Sequence, residues 1–315
     1  MTKKVILDCD PGHDDAISII LAASNISDLK IEAITTVAGN VEVEKNTQNT
    51  LKVCDMIGLT DVPVAQGVER PLVKEREIAE EIHGDTGLDG PDLPEIPTKQ
   101  AIDQHGVDLI IEKVLNAGDD ITLVPTGPLT NIALAMIKEP KIIPKIKEIV
   151  LMGGGTFGNW TPAAEFNIYV DAEAANVVFN SGVPISMFAL DVTHQAIATD
   201  EIIEQLSNID NATAHFVVEL LVFFKKTYKE VFGFSGPPIH DACTVAYLLD
   251  PSIFKCQHVR VDVETKGEFS YGMTVVDKLK TTGKDPNVHF AYELNFDKFW
   301  DLMTKALQSY QTQPN

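Results

Sequence analysis

Residues 5–22 read VILDCDPGHDDAISIILA, and the rest of the chain is interpreted outward from them. The apolar run Val5–Leu7 ends at Asp8. Asp10, Asp14 and Asp15 follow at once, and an apolar-rich segment resumes at Ala16. The pattern predicts a buried strand, a tight turn at Pro11-Gly12 and a helix starting near Asp14 or Asp15. Asp8 and Asp10 stand two apart, on the same side of an extended chain. Asp14 and Asp15 fall in a first helical turn, where negative charge is favoured. A turn and a cap need only two aspartates. Four crowded carboxylates repel one another, and some hold protons unless a cation is present. Oxygen ligands at this density suit a hard cation, Ca²⁺ or Mg²⁺, better than zinc. An acidic loop with one capping Asp is the plainer alternative.

The chain has 315 residues with 44% hydrophobic content, enough for a sizeable core. A formal charge of −21 and the lack of a dense basic run argue against a nucleic-acid partner, whose binding depends on clustered Lys and Arg. The start, MTKKVILDCD, has no apolar core of a secretory signal. The run Ile17–Ala23 is far too short to cross a bilayer, so no membrane association is expected. Cys9, Cys54, Cys243 and Cys256 form no CxxC pair and read as thiols of a reducing cytoplasm.

Further along, Ile31–Ala38 reads as a strand ending at Gly39-Asn40, a helix spans about Glu44–Ile57, and Val62–Ala65 reads as a third strand. This alternation is that of βαβ units. Residues 70–98 break it. Within them HGDTGLDGPDLP, His83–Pro94, is a Gly- and Pro-rich loop of the kind that serves as a lid or binding loop. The alternation returns with a helix over Gly106–Asn116 and a strand over Asp120–Pro125 that exits at Thr126. Thr130 is placed to cap the next helix, and a strand over Ile146–Met152 runs into Gly153-Gly154-Gly155. Those glycines do not make a dinucleotide fingerprint. Asp171 is placed to cap a helix, Val183–Leu190 reads as a strand ending at Asp191, and a long apolar helix covers about Ala212–Val231. His240 and Asp241 open another helix that stops at Pro251. Strands near 259–263, 271–276 and 288–291 and a helix near 297–310 finish the chain. The expected fold is α/β, an open, mostly parallel central sheet flanked by helices. No linker or composition shift divides residues 1–315, which read as a single domain.

Asp10, Asn40, Thr126, Gly153 and Asp191 all stand at or just past predicted strand C-termini. Ligands of open α/β sheets bind at that edge, so these positions are expected to converge. Asp8, Asp10, Asp14, Asp15, Asn40, Asn159, Glu165, Asn167, His240 and Asp241 form a set rich in carboxylates and carboxamides, without a catalytic Ser or Cys signature. Such groups hydrogen-bond the hydroxyls of a polyol such as a sugar.

DCDPGHDDA at 8–16, VAGN at 37–40, VPTGPLTN at 124–131, LMGGG at 151–155, AEFNIYVDAEAA at 164–175 and HDA at 240–242 resemble, in order and from end to end, the motifs of the inosine-uridine-preferring nucleoside hydrolase family. The loop HGDTGLDGP is most similar to that of the bacterial pyrimidine-specific branch. The resemblance implies Ca²⁺-dependent hydrolysis of the N-glycosidic bond of a small-molecule ribonucleoside, in nucleoside catabolism or pyrimidine salvage, by a homo-oligomer, often a tetramer. It implies Asp10, Asp15, Asp241 and the carbonyl of Thr126 as metal ligands, with Asp8 supporting the loop. Asp14, Asn40, Asn159, Glu165 and Asn167 would hold the ribose. Asp10 would be the general base towards a water oriented by the cation, and His240, with His83 as a second candidate, would assist the departing base.

One departure concerns base preference. Pyrimidine-preferring relatives carry Gln and Tyr in the helix before the His-Asp pair, where this chain has Tyr228 and Phe232. Tyr228 can stack and donate a hydrogen bond, whereas Phe232 cannot replace a hydroxyl. This departure weakens the transfer of base preference; uridine or cytidine stays the expected substrate, with a purine or broad-specificity hydrolase as the alternative and a non-catalytic nucleoside or sugar binder as a third reading. Asp8-x-Asp10 also resembles the nucleophile motif of haloacid-dehalogenase-type phosphate-transferring enzymes, but Pro11-Gly12-His13 follow instead of the continuation that motif needs.

Overall fold

The structure, a computed structural model, describes residues 2–310. A nine-stranded sheet takes segments from nearly the whole of that length. Its strands are β1 (Lys3–Cys9), β2 (Leu29–Thr36), β3 (Val64–Gln66), β4 (Ile121–Pro125), β5 (Ile146–Met152), β6 (Ile185–Phe188), β7 (Phe254–Val263), β8 (Thr274–Asp277) and β9 (Val288–Leu294). They lie in the order β3-β2-β1-β4-β5-β6-β9-β7-β8. All pairs from β3 to β9 are parallel, and β7 is antiparallel to both of its neighbours. The mostly parallel sheet matches the expectation. β1 is central and its inner residues are buried on both faces, which is why its sequence is a continuous apolar run and not an alternation.

The two faces carry separate cores. Val5, Leu7, Val124, Val150 and Phe188 pack against the helices His13–Ala23, Ala212–Phe232, Ala242–Leu249 and Phe296–Gln308. Ile6, Leu123, Ile149 and Met187 pack against the helices Gly106–Asn116, Thr130–Lys138 and Ala172–Phe179. Strand order reverses direction between β1 and β4. This is the topological switch point, where the carboxyl ends of parallel strands leave a crevice.

Several local expectations are corrected. The first helix begins at His13 with Gly12 as its N-cap, and Asp15 at the third helical position accepts a hydrogen bond from the Gly12 N–H at 3.2 Å. Leu129, not Thr130, occupies the cap of its helix; the Thr130 hydroxyl donates to buried Asp171 at 2.7 Å. The strand predicted to end at Asp191 closes at Phe188, and residues 190–193 form a short helix. The predicted loop 70–98 includes one helical turn, Glu80–His83. Among the described residues no helix is long and apolar enough to cross a membrane, and all four cysteines are free.

Candidate active site

The tips of β1, β2, β4 and β5 meet through hydrogen bonds. Asp8 lies at the tip of β1, fully buried, and accepts at Oδ1 from Thr35 Oγ1 at 2.6 Å and Asn131 Nδ2 at 2.8 Å. It ties β1 to β2 and to the helix after β4, the supporting position that the motif implies. Asp10 follows. Its Oδ2 accepts from the Asn40 N–H at 2.8 Å, and Asn40 Nδ2 returns to the Asp10 carbonyl at 2.9 Å. Its Oδ1 is buried with no partner among the described residues. Asp15 accepts from Thr126 Oγ1 at 2.7 Å. The Thr126 carbonyl in turn accepts from Asn167 Nδ2 at 2.7 Å. Glu165 caps the helix Phe166–Val170 and receives the N–H groups of Gly154, Asn167 and Ile168 at 2.8, 2.9 and 3.1 Å.

Above this floor lies a cavity of about 240 Å³. Asp14, Asn40, Thr126, Asn159, Glu165, Asn167, His240 and Asp241 line its polar side, and His83, Tyr228 and Phe232 its aromatic side. Asp10 and Asp15 lie beneath it, almost wholly buried. Phe224, Tyr228 and Phe232 come from successive turns of the helix Ala212–Phe232, a spacing of four that puts them on one face. Gly233 ends that helix at φ 73°, a left-handed conformation that glycine adopts without strain. The sequence did not single out Trp160, Phe166 and Phe224 as lining residues. Trp160 is held by its indole N–H to Glu77 at 2.7 Å.

Two placements differ from expectation. Asp191 does not line the cavity; it accepts from the Thr156 N–H at 2.8 Å and pairs with Lys278. Two residues on, buried Thr193 reaches the site, with Oγ1 2.7 Å from His240 Nδ1. Among the described residues the carboxylates whose oxygens gather within 4.8 Å are those of Asp14, Asp15 and Asp241. Asp10 is not among those three; the Asn40 N–H holds its Oδ2, and Gly39 and Gly127 lie close against its carboxylate.

The electrostatics follow from burial. Loss of solvent pushes the carboxyls of Asp8 and Asp14 up to about 7 and raises those of Asp10, Asp15 and Asp241, with neighbouring aspartates adding to the shift of Asp10 and Asp241. Burial also lifts Glu165 to about 7 against its three N–H donors. The same desolvation drives the His83 and His240 imidazoles well below their ordinary range. Burial alone favours the protonated form of these acids; a bound divalent ion inverts that logic. An all-oxygen, buried donor set with Asp10 Oδ1 left unpartnered fits a hard cation.

A cavity with one polar and one aromatic side over buried carboxylates, at the switch point of a parallel sheet, is the arrangement of a small-molecule enzyme of the α/β class. The chain belongs to the inosine-uridine preferring nucleoside hydrolase family, whose pattern it matches over residues 5–301, and it is a ribonucleoside hydrolase. It is 47% identical over 312 residues to the pyrimidine-specific ribonucleoside hydrolase RihA of Photobacterium profundum, covering 98% of this chain and 100% of that protein. With RihA of Shewanella baltica the identity is 49% over 313 residues, covering 98% of each. A solved purine-preferring ribonucleoside hydrolase from Gardnerella vaginalis superposes with a TM-score of 0.89 at 32% identity, covering 97% of this chain and 99% of that one. The plant nucleoside hydrolase PpNRh1 superposes at 0.90 and 32%, covering 100% of both.

Proposed function

We propose that this hydrolase acts on pyrimidine ribonucleosides, with Ca²⁺ as its metal, as a single-domain subunit of a cytoplasmic homo-oligomer, a tetramer by family resemblance. The observation that carries the metal-assisted reading is the acidic floor, three gathered carboxylates with Asp10 beside them, buried beneath a cavity that bears hydroxyl-binding amides. The pyrimidine preference is supported by the 47–49% identity to proteins named pyrimidine-specific, against 32% to the purine-preferring one.

Asp14, Asp15 and Asp241 would hold the ion together with the Thr126 carbonyl, and Asp10 would adjoin it. When bound, Ca²⁺ supplies the charge that keeps these carboxylates ionised and polarises a water. Asp10 takes a proton from the attacking water at Oδ1; the Asn40 N–H on Oδ2 fixes the carboxylate for that task. As the glycosidic bond breaks, the ribosyl ring gains oxocarbenium character, which the anionic floor stabilises. Asn40, Asn159, Asn167 and Glu165 orient the ribose. Asn159 Oδ1 already accepts from the Phe166 N–H at 3.0 Å, so its free amide protons are the group offered to the ligand. His240 and Tyr228, 2.8 Å apart, stand on the side of the departing base.

Ribose release from uridine, cytidine and inosine in phosphate-free buffer tests the proposal, after chelation and again with Ca²⁺ restored. The expected result is chelation-sensitive, Ca²⁺-restored release that is faster from uridine or cytidine than from inosine. Equal or faster inosine cleavage removes the pyrimidine assignment, and activity indifferent to chelation removes the metal.

A further inference from the structure

Three buried side chains form a line into the cavity. Thr193 Oγ1 lies 2.7 Å from His240 Nδ1, and His240 Nε2 lies 2.8 Å from the Tyr228 hydroxyl. Each contact could run in either direction, but burial chooses between them. Thr193 is fully buried, and its hydroxyl makes no other hydrogen bond among the described residues. Were it to accept from Nδ1–H, its own proton would be orphaned in the interior, which buried hydroxyls avoid. The Thr193 proton therefore points at Nδ1. A neutral imidazole that accepts at Nδ1 carries its proton on Nε2. That N–H donates to the Tyr228 oxygen, and the remaining Tyr228 proton, with no acceptor among the described residues, faces the cavity that Tyr228 lines. The neighbouring ring of His194, 5.5 Å from His240 centre to centre, makes no hydrogen bond to it.

We propose that Thr193 is a positioning residue: its hydroxyl fixes His240 as the Nε2–H tautomer and so sets the Tyr228 hydroxyl as a donor to the acceptor oxygen of the departing base. The direction matters. A pyrimidine leaving with the bonding electron pair gains negative charge over its ring and carbonyl oxygens, and a donor aimed there strengthens its bond as cleavage proceeds. With the chain reversed, Tyr228 would offer only lone pairs and oppose that charge. This inference rests on the pyrimidine reading of the cavity. It also explains how a Tyr at 228 can serve beside a Phe at 232, since the hydroxyl reaches the His from one helical turn earlier.

Two measurements test it. In wild-type protein labelled with ¹⁵N-histidine, long-range proton–nitrogen correlation reports which ring nitrogen of His240 is protonated, its signals being assigned by their loss in His240→Ala. Nε2–H is expected; Nδ1–H overturns the proposal whatever the substrate. Kinetics then compare Thr193→Val, of nearly the same shape, with Thr193→Ser on uridine and on 4-nitrophenyl riboside, whose leaving group needs no donor. Val should lower kcat on uridine at least about tenfold while changing the nitrophenyl riboside less than about threefold, and Ser should restore uridine turnover. Equal losses on both substrates, an unaffected Val variant, or failure of Ser to rescue would each overturn it. Failure of the wild type to cleave uridine would instead remove the pyrimidine reading and leave the tautomer result standing.

Discussion

Gly127→Ala should abolish most turnover while leaving the protein folded. Gly127 follows β4 with no left-handed backbone, so alanine is conformationally allowed. The difficulty is space. A Cβ there would stand 2.5 Å from Asp10 Oδ1, 2.8 Å from its Cγ and 3.0 Å from Val37 Cγ1. Reaching an ordinary contact of 3.4 Å from Oδ1 requires the carboxylate to retreat by about 0.9 Å. It has little room. Oδ2 is pinned by the Asn40 N–H at 2.8 Å, and Gly39 stands against that same oxygen. Displacing a reacting group by about 1 Å costs on the order of 10²-fold in rate. Overpacking costs about 1–3 kcal/mol, which for a chain of this size lowers Tm by less than about 10 °C. The assay is kcat for ribose release at saturating uridine and Ca²⁺, beside Tm by circular dichroism. Retention of more than half the wild-type kcat would refute the placement of Asp10 as the base. A collapse of Tm matching the loss of activity would refute the claim that the effect is local.

Asp10→Asn keeps the shape but removes the base, and should cut kcat by about 10²–10⁴-fold with a Tm near that of the wild type, measured in the same assay. Asn131→Ala removes donors to Asp8 and to the Thr36 carbonyl, and the acceptor for the Val68 N–H. It should destabilise the protein by about 3 kcal/mol in urea unfolding; a loss below about 1 kcal/mol would mean that water replaces the amide. The pH dependence has a definite sign. Asp8, Asp14 and Glu165 titrate near 7 when folded, raised by burial, so above the unfolded carboxylate range the folded chain binds more protons than the unfolded one. Buried His83 and His240, whose pKa values are lowered, act oppositely, but only below about pH 6.5, where unfolded histidine charges. Chelated protein should therefore lose stability from about pH 6.5 to 8, and saturating Ca²⁺ should remove that loss. A chelated Tm that is flat or rising across this window would contradict the acidic floor.

What the sequence made legible was what local pattern controls. β1 and the helix after it could be read because an apolar run, a Pro-Gly turn and spaced aspartates each have one local meaning. That Tyr228 and Phe232 share a helical face follows from their spacing of four, though the sequence does not single out Phe224, one turn earlier on that face. The antiparallel placement of β7 between β9 and β8 could not be read, because strand direction in a sheet is set by pairing between residues far apart in sequence. Nor could the reassignment of Thr130 from cap to partner of Asp171: a threonine at a helix start has a local role available, and only the burial of a distant carboxylate outbids it.

The contrast between Asp191 and Thr193 shows where chemical reasoning about a strand end stops. An aspartate just past an apolar run reads as a site residue, and a threonine two positions later reads as filler. That inference holds while the chain stays extended, since residues two apart then share a face. Here the chain coils at residue 190, and two residues on a helix point in nearly opposite directions. Asp191 turns out to Thr156 and Lys278, and Thr193 turns in to His240. The same holds for the acidic floor. Four aspartates in one motif are visible, but only Asp14 and Asp15 of them gather, and the third carboxylate, Asp241, comes from more than 200 positions along the chain, while Asp10 is held by Asn40. Composition and spacing thus specify which chemistry is present, and the loops from neighbouring strands decide which carboxylate remains free to act as a base.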